Sequence, residues 1–223
     1  MSEHPILFTG PMVRAILDGS KTMTRDTKGL KIINSTAVNF YHPTRQKDTL
    51  GYTPSMGYLW QGFNQGGSDV FVKSPYGKPG DTLWVKETFQ TDTYPTGPLS
   101  SDERTIIIYC ADVQYPKRDM WRSSILMPRW ASRIQLRVTE IRVERIQDIT
   151  EEDAIKEGII TWNKGPLAPL YFTDKKHVES CDLGHDTPRK AFRDLWDSIY
   201  AKRGRGWDVN PWVWCISFER SKP

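Results

Sequence analysis

Between Ser132 and Val143 the chain alternates apolar and polar residues and then breaks step once. Ile134, Leu136 and Val138 hold one set of positions, and Arg133, Gln135 and Arg137 hold the other. Across Thr139-Glu140 the phase slips by one residue, after which Ile141 and Val143 carry the apolar face onward. A side-chain period of two marks a strand with one buried face, and an uncorrected slip would turn every later side chain the wrong way. The slip therefore predicts a β-bulge, which bends a strand and lets a sheet curl toward closure.

Shorter elements surround this strand. Ile6-Leu7-Phe8 reads as a buried strand, followed by a helix with Pro11 at its first position, Val13, Ile16 and Leu17 on one face, and Gly19 as its stop. Pro79-Gly80-Asp81 forms a turn from which a strand runs over Thr82 to Phe89, and Arg104 to Cys110 is a further β-branched strand. Thr150 caps a short helix whose first turn holds Glu151, Glu152 and Asp153, where the positive helix end favours acids; Gly158 ends it. Thr187-Pro188 open the strongest helix, with Phe192, Leu195, Trp196 and Ile199 at helical spacing. Trp212, Trp214, Ile216 and Phe218 alternate along the last strand. Together these predict an α+β fold, a small β-barrel with flanking helices. All 223 residues are read as one domain, 1–223, without internal repeats. Loop insertions are expected at about 27–77 and 161–186; the first, rich in Gly, Tyr, Asn, Ser and Pro, is expected to hold limited structure of its own.

Composition narrows the function classes only slightly. A formal charge of +4 permits a polyanionic partner without requiring one. The three cysteines, Cys110, Cys181 and Cys215, are scattered without a Cys-x-x-Cys pair, which fits a reducing, cytoplasmic compartment. No run of about 18 apolar residues is present to span a membrane, and no signal-peptide pattern opens the chain. Nine tryptophans suit a protein that stacks flat rings, and equally one that fills a barrel core.

Chemistry is concentrated in Gly19-Ser20-Lys21-Thr22-Met23-Thr24-Arg25. Lys21 and Thr24 supply an amine and a hydroxyl, the proton acceptor and attacking oxygen of a hydroxyl-nucleophile reaction. A solvated turn would use the same residues. Glu157 is the second anomaly: it stands in the last turn of its helix, beside the negative end of the dipole, where an acid is disfavoured by roughly 0.3–1 kcal/mol. A facing cation offsets that cost, and Lys21 is the candidate. His177, Cys181 and His185 have a spacing that would align metal ligands on a helix, but the Gly-, Asp- and Ser-rich surroundings oppose a helix and no fourth ligand is evident. No metal or cofactor is expected. From Lys117 to Arg145 eight Lys/Arg stand against three acids, with Trp121 and Trp130 interleaved. Cations beside aromatic rings suit a groove for single-stranded nucleic acid, or a solvated strand face with two core tryptophans. Glu87, close to Trp84, is a candidate for reading a base edge.

The motif around Lys21, then Pro79-Gly80-Asp81, Met127-Pro128-Arg129-Trp130-Ala131-Ser132-Arg133 and Thr150 to Gly158, in that order, resembles an ASCH domain, a β-barrel similar to the PUA domain of RNA-modifying proteins. The likeness is nearest to the longer, phage- and prophage-associated ASCH proteins. It covers Ile6–Arg25, Lys78–Phe89, Ser123–Gly158 and Ala191–Arg220, and leaves both insertions outside. Some small bacterial ASCH proteins are amidohydrolases that remove the acyl group from N4-acetylcytidine. Their Lys-x-x-Thr matches Lys21 and Thr24, and their glutamate matches Glu157. Their arginine sits one residue further from the threonine than Arg25 does here.

The resemblance implies catalysis by Lys21, Thr24 and Glu157, with Arg25, Trp84, Glu87, Arg129, Trp130 and Arg133 as substrate-binding candidates. Thr24 would attack the amide carbonyl while a neutral Lys21 takes its proton and passes it to the leaving cytosine amine, which requires the lysine to titrate below its ordinary value near 10.4. Glu157 would orient Lys21, or hold a water or the cytosine amino group, and Arg25 would depress the lysine pKa or steady the oxyanion. The partner is then a modified pyrimidine nucleoside or single-stranded nucleic acid. The alternative is a non-catalytic module that recognises a modified base with the same pocket; a third option is an accessory protein that acts on another protein through its insertions.

Overall fold

A computed structural model describes residues 1–35, 39–40, 59–63, 69–91, 106–113, 121–163, 168–173 and 184–221. Its centre is a five-stranded mixed sheet of β1 (Glu3–Leu7), β6 (Thr82–Lys86), β9 (Gln135–Arg145), β12 (Trp212–Arg220) and β2 (Met23–Asp26), in that spatial order. β1 and β6 run parallel, and every other neighbour is antiparallel. The fold is α+β around an open mixed sheet. Among the described residues no ladder joins the outer strands β1 and β2.

The expected bulge is present. Ser217 faces Glu140 and Phe218 faces Val138, so Thr139 is the extra residue on β9. Thr139 and Glu140 are both exposed, while Leu136, Val138, Ile141 and Val143 stay buried. The phase slip in the sequence is this one unpaired residue.

One sheet face holds the main core, with Ile6, Leu83, Val85, Leu136, Val138, Ile141, Val143, Trp214 and Ile216 packed against Val13 and Ile16 of helix α1 (Gly10–Leu17). The other face of β12 turns Val213 and Cys215 toward a second core, built with Ala154 of α3 (Glu151–Lys156) and Ala191, Phe192 and Trp196 of α4 (Pro188–Tyr200). Both helix starts follow the capping expectation: Thr150 accepts from the Asp153 amide and Thr187 from the Lys190 amide.

The segment 27–77 has more structure than its composition promises. Its described part carries α2 (Lys31–Ser35) and a three-stranded antiparallel sheet of β3 (Asn39–Phe40), β4 (Leu59–Phe63) and β5 (Asp69–Lys73). Leu30, Ile33 and Tyr76 enter the main core. The strand expected over Thr82 to Phe89 is divided: β6 ends at Lys86, and β7 (Phe89–Thr91) pairs instead with β8 (Ile107–Tyr109). Arg104 and Thr105, the first residues expected in the latter strand, lie outside the described residues. The second insertion supplies β10 (Ile160–Trp162) and β11 (Leu170–Phe172), an antiparallel pair. Among the described residues no helix is long and apolar enough to cross a membrane.

Candidate functional site

Strand alternation decides how the Lys21–Arg25 motif is divided. Thr24 pairs with Ile216, a main-core residue, and Arg25 pairs with Cys215 on the face covered by α3 and α4. Thr24 and Arg25 therefore point to opposite sides of β2. Met23 shares the side of Arg25, whose Nη1 lies 3.4 Å from the Met23 sulfur.

Lys21 comes before the strand and meets the end of α3. The two backbones form a bridge between Lys21 and Glu157, and Lys21 Nζ donates to Glu157 Oε2 and to the Glu157 carbonyl oxygen, each at 2.8 Å. The Lys21 side chain is 0 % exposed, and the ring of Phe8 lies 5.8 Å from Nζ. The cation expected opposite the misplaced acid of α3 is thus in place. Gly158 makes the approach possible: its φ is +98°, and a Cβ there would stand 3.3 Å from the Cβ atoms of both Ala15 and Lys21.

Arg25 completes a buried ionic layer. Its Nη1 donates to Glu157 Oε1 at 3.1 Å, and its Nη2 donates to Glu144 Oε1 and Asp153 Oδ2, both at 2.9 Å. Arg142 pairs with Glu144 at 3.1 Å and also contacts Asp153. Cys215 donates its thiol to Glu144 Oε1, and burial pushes the thiol pKa far up, so it acts as a neutral donor. Arg25 and Arg142, with the Lys21 amine beside them, face three carboxylates, and burial of carboxylates demands such partners. Arg25 Nε is buried without a partner among the described residues.

Burial depresses the Lys21 pKa, because an ammonium without water is costly. Glu157 opposes that shift through its charge and its hydrogen bond, and Arg25 reinforces it. Asp153 moves the other way for a carboxylate: burial works against its charge, but the Arg25 hydrogen bond and the charges of Arg142 and Arg25 prevail and hold its pKa below the usual value. A depressed carboxyl pKa gives the unfolded chain the greater proton uptake near pH 4, so this stabilisation is complete above about 3.9 and is lost as pH falls further. Urea unfolding midpoints should therefore drop below about pH 4 in the wild type, and Asp153→Asn should flatten that drop.

The other predicted binding residues lie elsewhere on the molecule. Arg133 clamps Glu87 through Nε at 2.9 Å and Nη2 at 3.1 Å, holds Asp112 through Nη1 at 2.6 Å and Nη2 at 2.9 Å, and stacks 3.9 Å from the Tyr109 ring centre. Burial raises the Glu87 pKa against the opposing pull of Arg133. Both side chains are thus engaged with each other. Trp84 and Lys86 lie on the face of β6 opposite Leu83 and Val85. Lys86 Nζ is 5.4 Å and Arg129 Cζ 5.9 Å from the Trp84 ring, and Arg129 forks onto Glu3 at 2.7 and 2.9 Å. Trp130 is exposed.

A cavity of about 500 Å³ opens between α1, α4, the β10–β11 pair and the end of α3. Its lining includes Glu157, Gly158 and Ser20, so it meets the Lys21–Glu157 pair from the glutamate side. Lys21, Thr24 and Arg25 are not in the lining, nor are Trp84, Glu87, Arg129, Trp130 and Arg133. Met12, Ala15, Phe172, Leu195 and Ile199 give it apolar walls. His185 lines it too; His177 and Cys181 lie outside the described residues, and among the described residues no group of three or more His, Cys, Asp or Glu is placed to hold a metal.

Glu144, Asp153 and Arg142 were not anticipated as partners of the motif. Their signal was faint: Arg142 and Glu144 occupy the polar phase of β9 after the bulge, and the acidic start of α3 was explained by the helix dipole alone. Compared with family models, curated proteins and solved structures, the chain matches none.

Proposed function

We propose that this protein is an amidohydrolase acting on N4-acylated cytidine-type nucleosides or nucleic acid, with Thr24 as nucleophile and Lys21 as base. The observation that carries this reading is a fully buried lysine amine, depressed in pKa, bonded to a glutamate that reaches the wall of a cavity. A neutral amine has two N–H groups and one lone pair. Both donors have acceptors in Glu157, the carboxylate and the carbonyl, so the lone pair is left to take a proton. Attack by Thr24 Oγ on the acyl carbon would send the hydroxyl proton to Lys21, which would pass it to the cytosine amine as the C–N bond breaks and the amine leaves. The acyl group would then pass to water, returning Thr24 and releasing the acid.

The fold behind this reading is an ASCH-type, PUA-like barrel. The bulge at Thr139 and the connection of the two outer strands through α1 support closure of the sheet.

A second reading has one specific observation in its favour. Thr24 faces the main core beside Ile216, away from Arg25, and the cavity does not reach it. In that reading the ionic layer is structural, and the protein binds a modified base or single-stranded nucleic acid without turning it over.

Incubation with N4-acetylcytidine, followed by chromatography, separates the two. Release of cytidine and acetate supports the hydrolase. Unchanged substrate, together with RNA binding that weakens steeply with salt, supports the module.

A further inference from the structure

The cavity lies at the seam between the two cores. Met12 of α1 packs against the main core and Leu195 of α4 against the second, and between them about 500 Å³ is left open. Small-molecule sites commonly enclose roughly 300–1,000 Å³. One wall is firmly built. The Phe172 ring meets the Trp162 ring edge-on at 6.0 Å, and a Cβ on Gly184 would sit 2.6 Å from Phe172 Cζ. Phe172 is thus held from both sides, and a two-way backbone bridge between Tyr171 and His185, 3.0 Å in each direction, fixes the segment that covers it.

The charged groups of the lining are already engaged within the protein. Arg14 donates to the Ala111 carbonyl at 3.3 Å, Asp18 accepts from Ser20, and Glu157 is bound by Lys21 and Arg25. Asp194 lies 3.3 Å from Arg193 Nε and 3.4 Å from His185 Nε2. A charged ligand would have to displace one of these contacts or lie against apolar walls without a counter-ion, and an unpaired buried charge is costly. Met12, Ala15, Phe172, Leu195 and Ile199 reward the opposite, the removal of apolar surface from water. The Phe172 ring and the Met12 thioether suit aromatic rings in particular. Ser198 donates its hydroxyl to the Leu195 carbonyl at 2.7 Å, so its oxygen can accept one hydrogen bond from a ligand.

We propose that this cavity is a binding site for a small uncharged aromatic molecule that carries an N–H or O–H donor, apart from the chemistry at Lys21. Neither Thr24 nor Lys21 lines it, and Glu157 meets it with a carboxylate that two cations already bind. The site therefore stands whether or not the protein hydrolyses acylcytidines, and its test involves no turnover.

The test uses a matched pair of fluorescent probes with the full chain. N-phenyl-1-naphthylamine is an uncharged aromatic amine that brightens on leaving water, and 1-anilinonaphthalene-8-sulfonate is the same ring system with an added negative charge. The wild type should bind the uncharged probe saturably, one per chain, and the sulfonate about 10-fold more weakly or worse. Ile199→Trp should fill the cavity and weaken the uncharged probe about 10-fold or more, and Ser198→Trp, altered at an exposed position, should act in the same direction. Leu126→Ser removes an apolar side chain that is 61 % exposed outside the lining, and should leave binding unchanged. The Met12 methyl signal should shift by NMR when the uncharged probe is added to the wild type. Absence of saturable binding, a stationary Met12 signal, undiminished binding in the folded tryptophan variants, or loss of binding in Leu126→Ser would each overturn the site. A sulfonate that binds as tightly as the amine would overturn the ligand class.

Discussion

Arg25→Leu should lower folding stability by about 3–5 kcal/mol, the cost of removing one partner from a buried ionic group. Arg25 is wholly buried and joins three carboxylates that come from β9, from α3 and from the residue ending α3. Its loss leaves three acids facing Lys21 and Arg142 alone, in a place where water does not compensate. Arg129→Leu is the matched control. Arg129 also forks onto a carboxylate, but its side chain is 36 % exposed and that of Glu3 48 %. Exposed pairs contribute about 0–1 kcal/mol, so that variant should remain near the wild type. Urea denaturation of the two variants reads the difference directly. Equal midpoints for both would mean that the layer under α3 is not the fastening the geometry describes. Against a total stability of about 5–15 kcal/mol that loss is a large fraction, and the Arg25 variant should melt well below the wild type.

Thr24→Val should abolish turnover of N4-acylcytidines, by about 1,000-fold or more, while the protein stays folded. Valine keeps the branched shape beside Ile216 and lacks only the oxygen that attacks. Stability should change by no more than about 1.5 kcal/mol, the most that a single hydroxyl hydrogen bond is worth. Retained turnover in this variant would remove Thr24 as nucleophile. It would leave water, or another hydroxyl at the cavity wall, as the attacking oxygen. Loss of turnover with an unchanged melting midpoint separates chemistry from folding, which Arg25 and Glu157 variants cannot do, because those residues also hold α3 to the sheet.

Much of the scaffold was legible because its signals are local. A phase slip at Thr139-Glu140 is visible within ten residues of sequence and has one geometric solution. Thr150 and Thr187 announce their helices through side-chain chemistry within a single turn. Lys21 and Glu157 were matched because one acid violated the dipole rule and one motif offered an amine. The convergence of Glu144 and Asp153 on Arg25 was not legible, since it depends on which strands become neighbours over more than 100 residues of separation. The side of β2 on which Thr24 falls was equally hidden until its pairing with Ile216 was known. Glu87 and Arg133 read in sequence as two separate substrate-binding candidates, and only the meeting of β6 with the approach to β9 turns them into a clamped pair. The segment 27–77 reads as having limited structure of its own because its Gly, Tyr, Asn, Ser and Pro dominate any local window. Leu30, Ile33 and Tyr76 owe their burial to the sheet they dock on.

The account depends on Lys21 holding a working amine where burial outweighs the attraction of Glu157. Its protonation is most directly read from the Lys21 Nζ signal by heteronuclear NMR across a pH titration. The amine should lose its proton below the ordinary lysine value of about 10.4, and Glu157→Gln, which removes the opposing charge, should lower the transition further. An ammonium that persists to pH 10.4 or beyond would contradict the account, because Lys21 would then be a permanent cation in a structural pair and not a base.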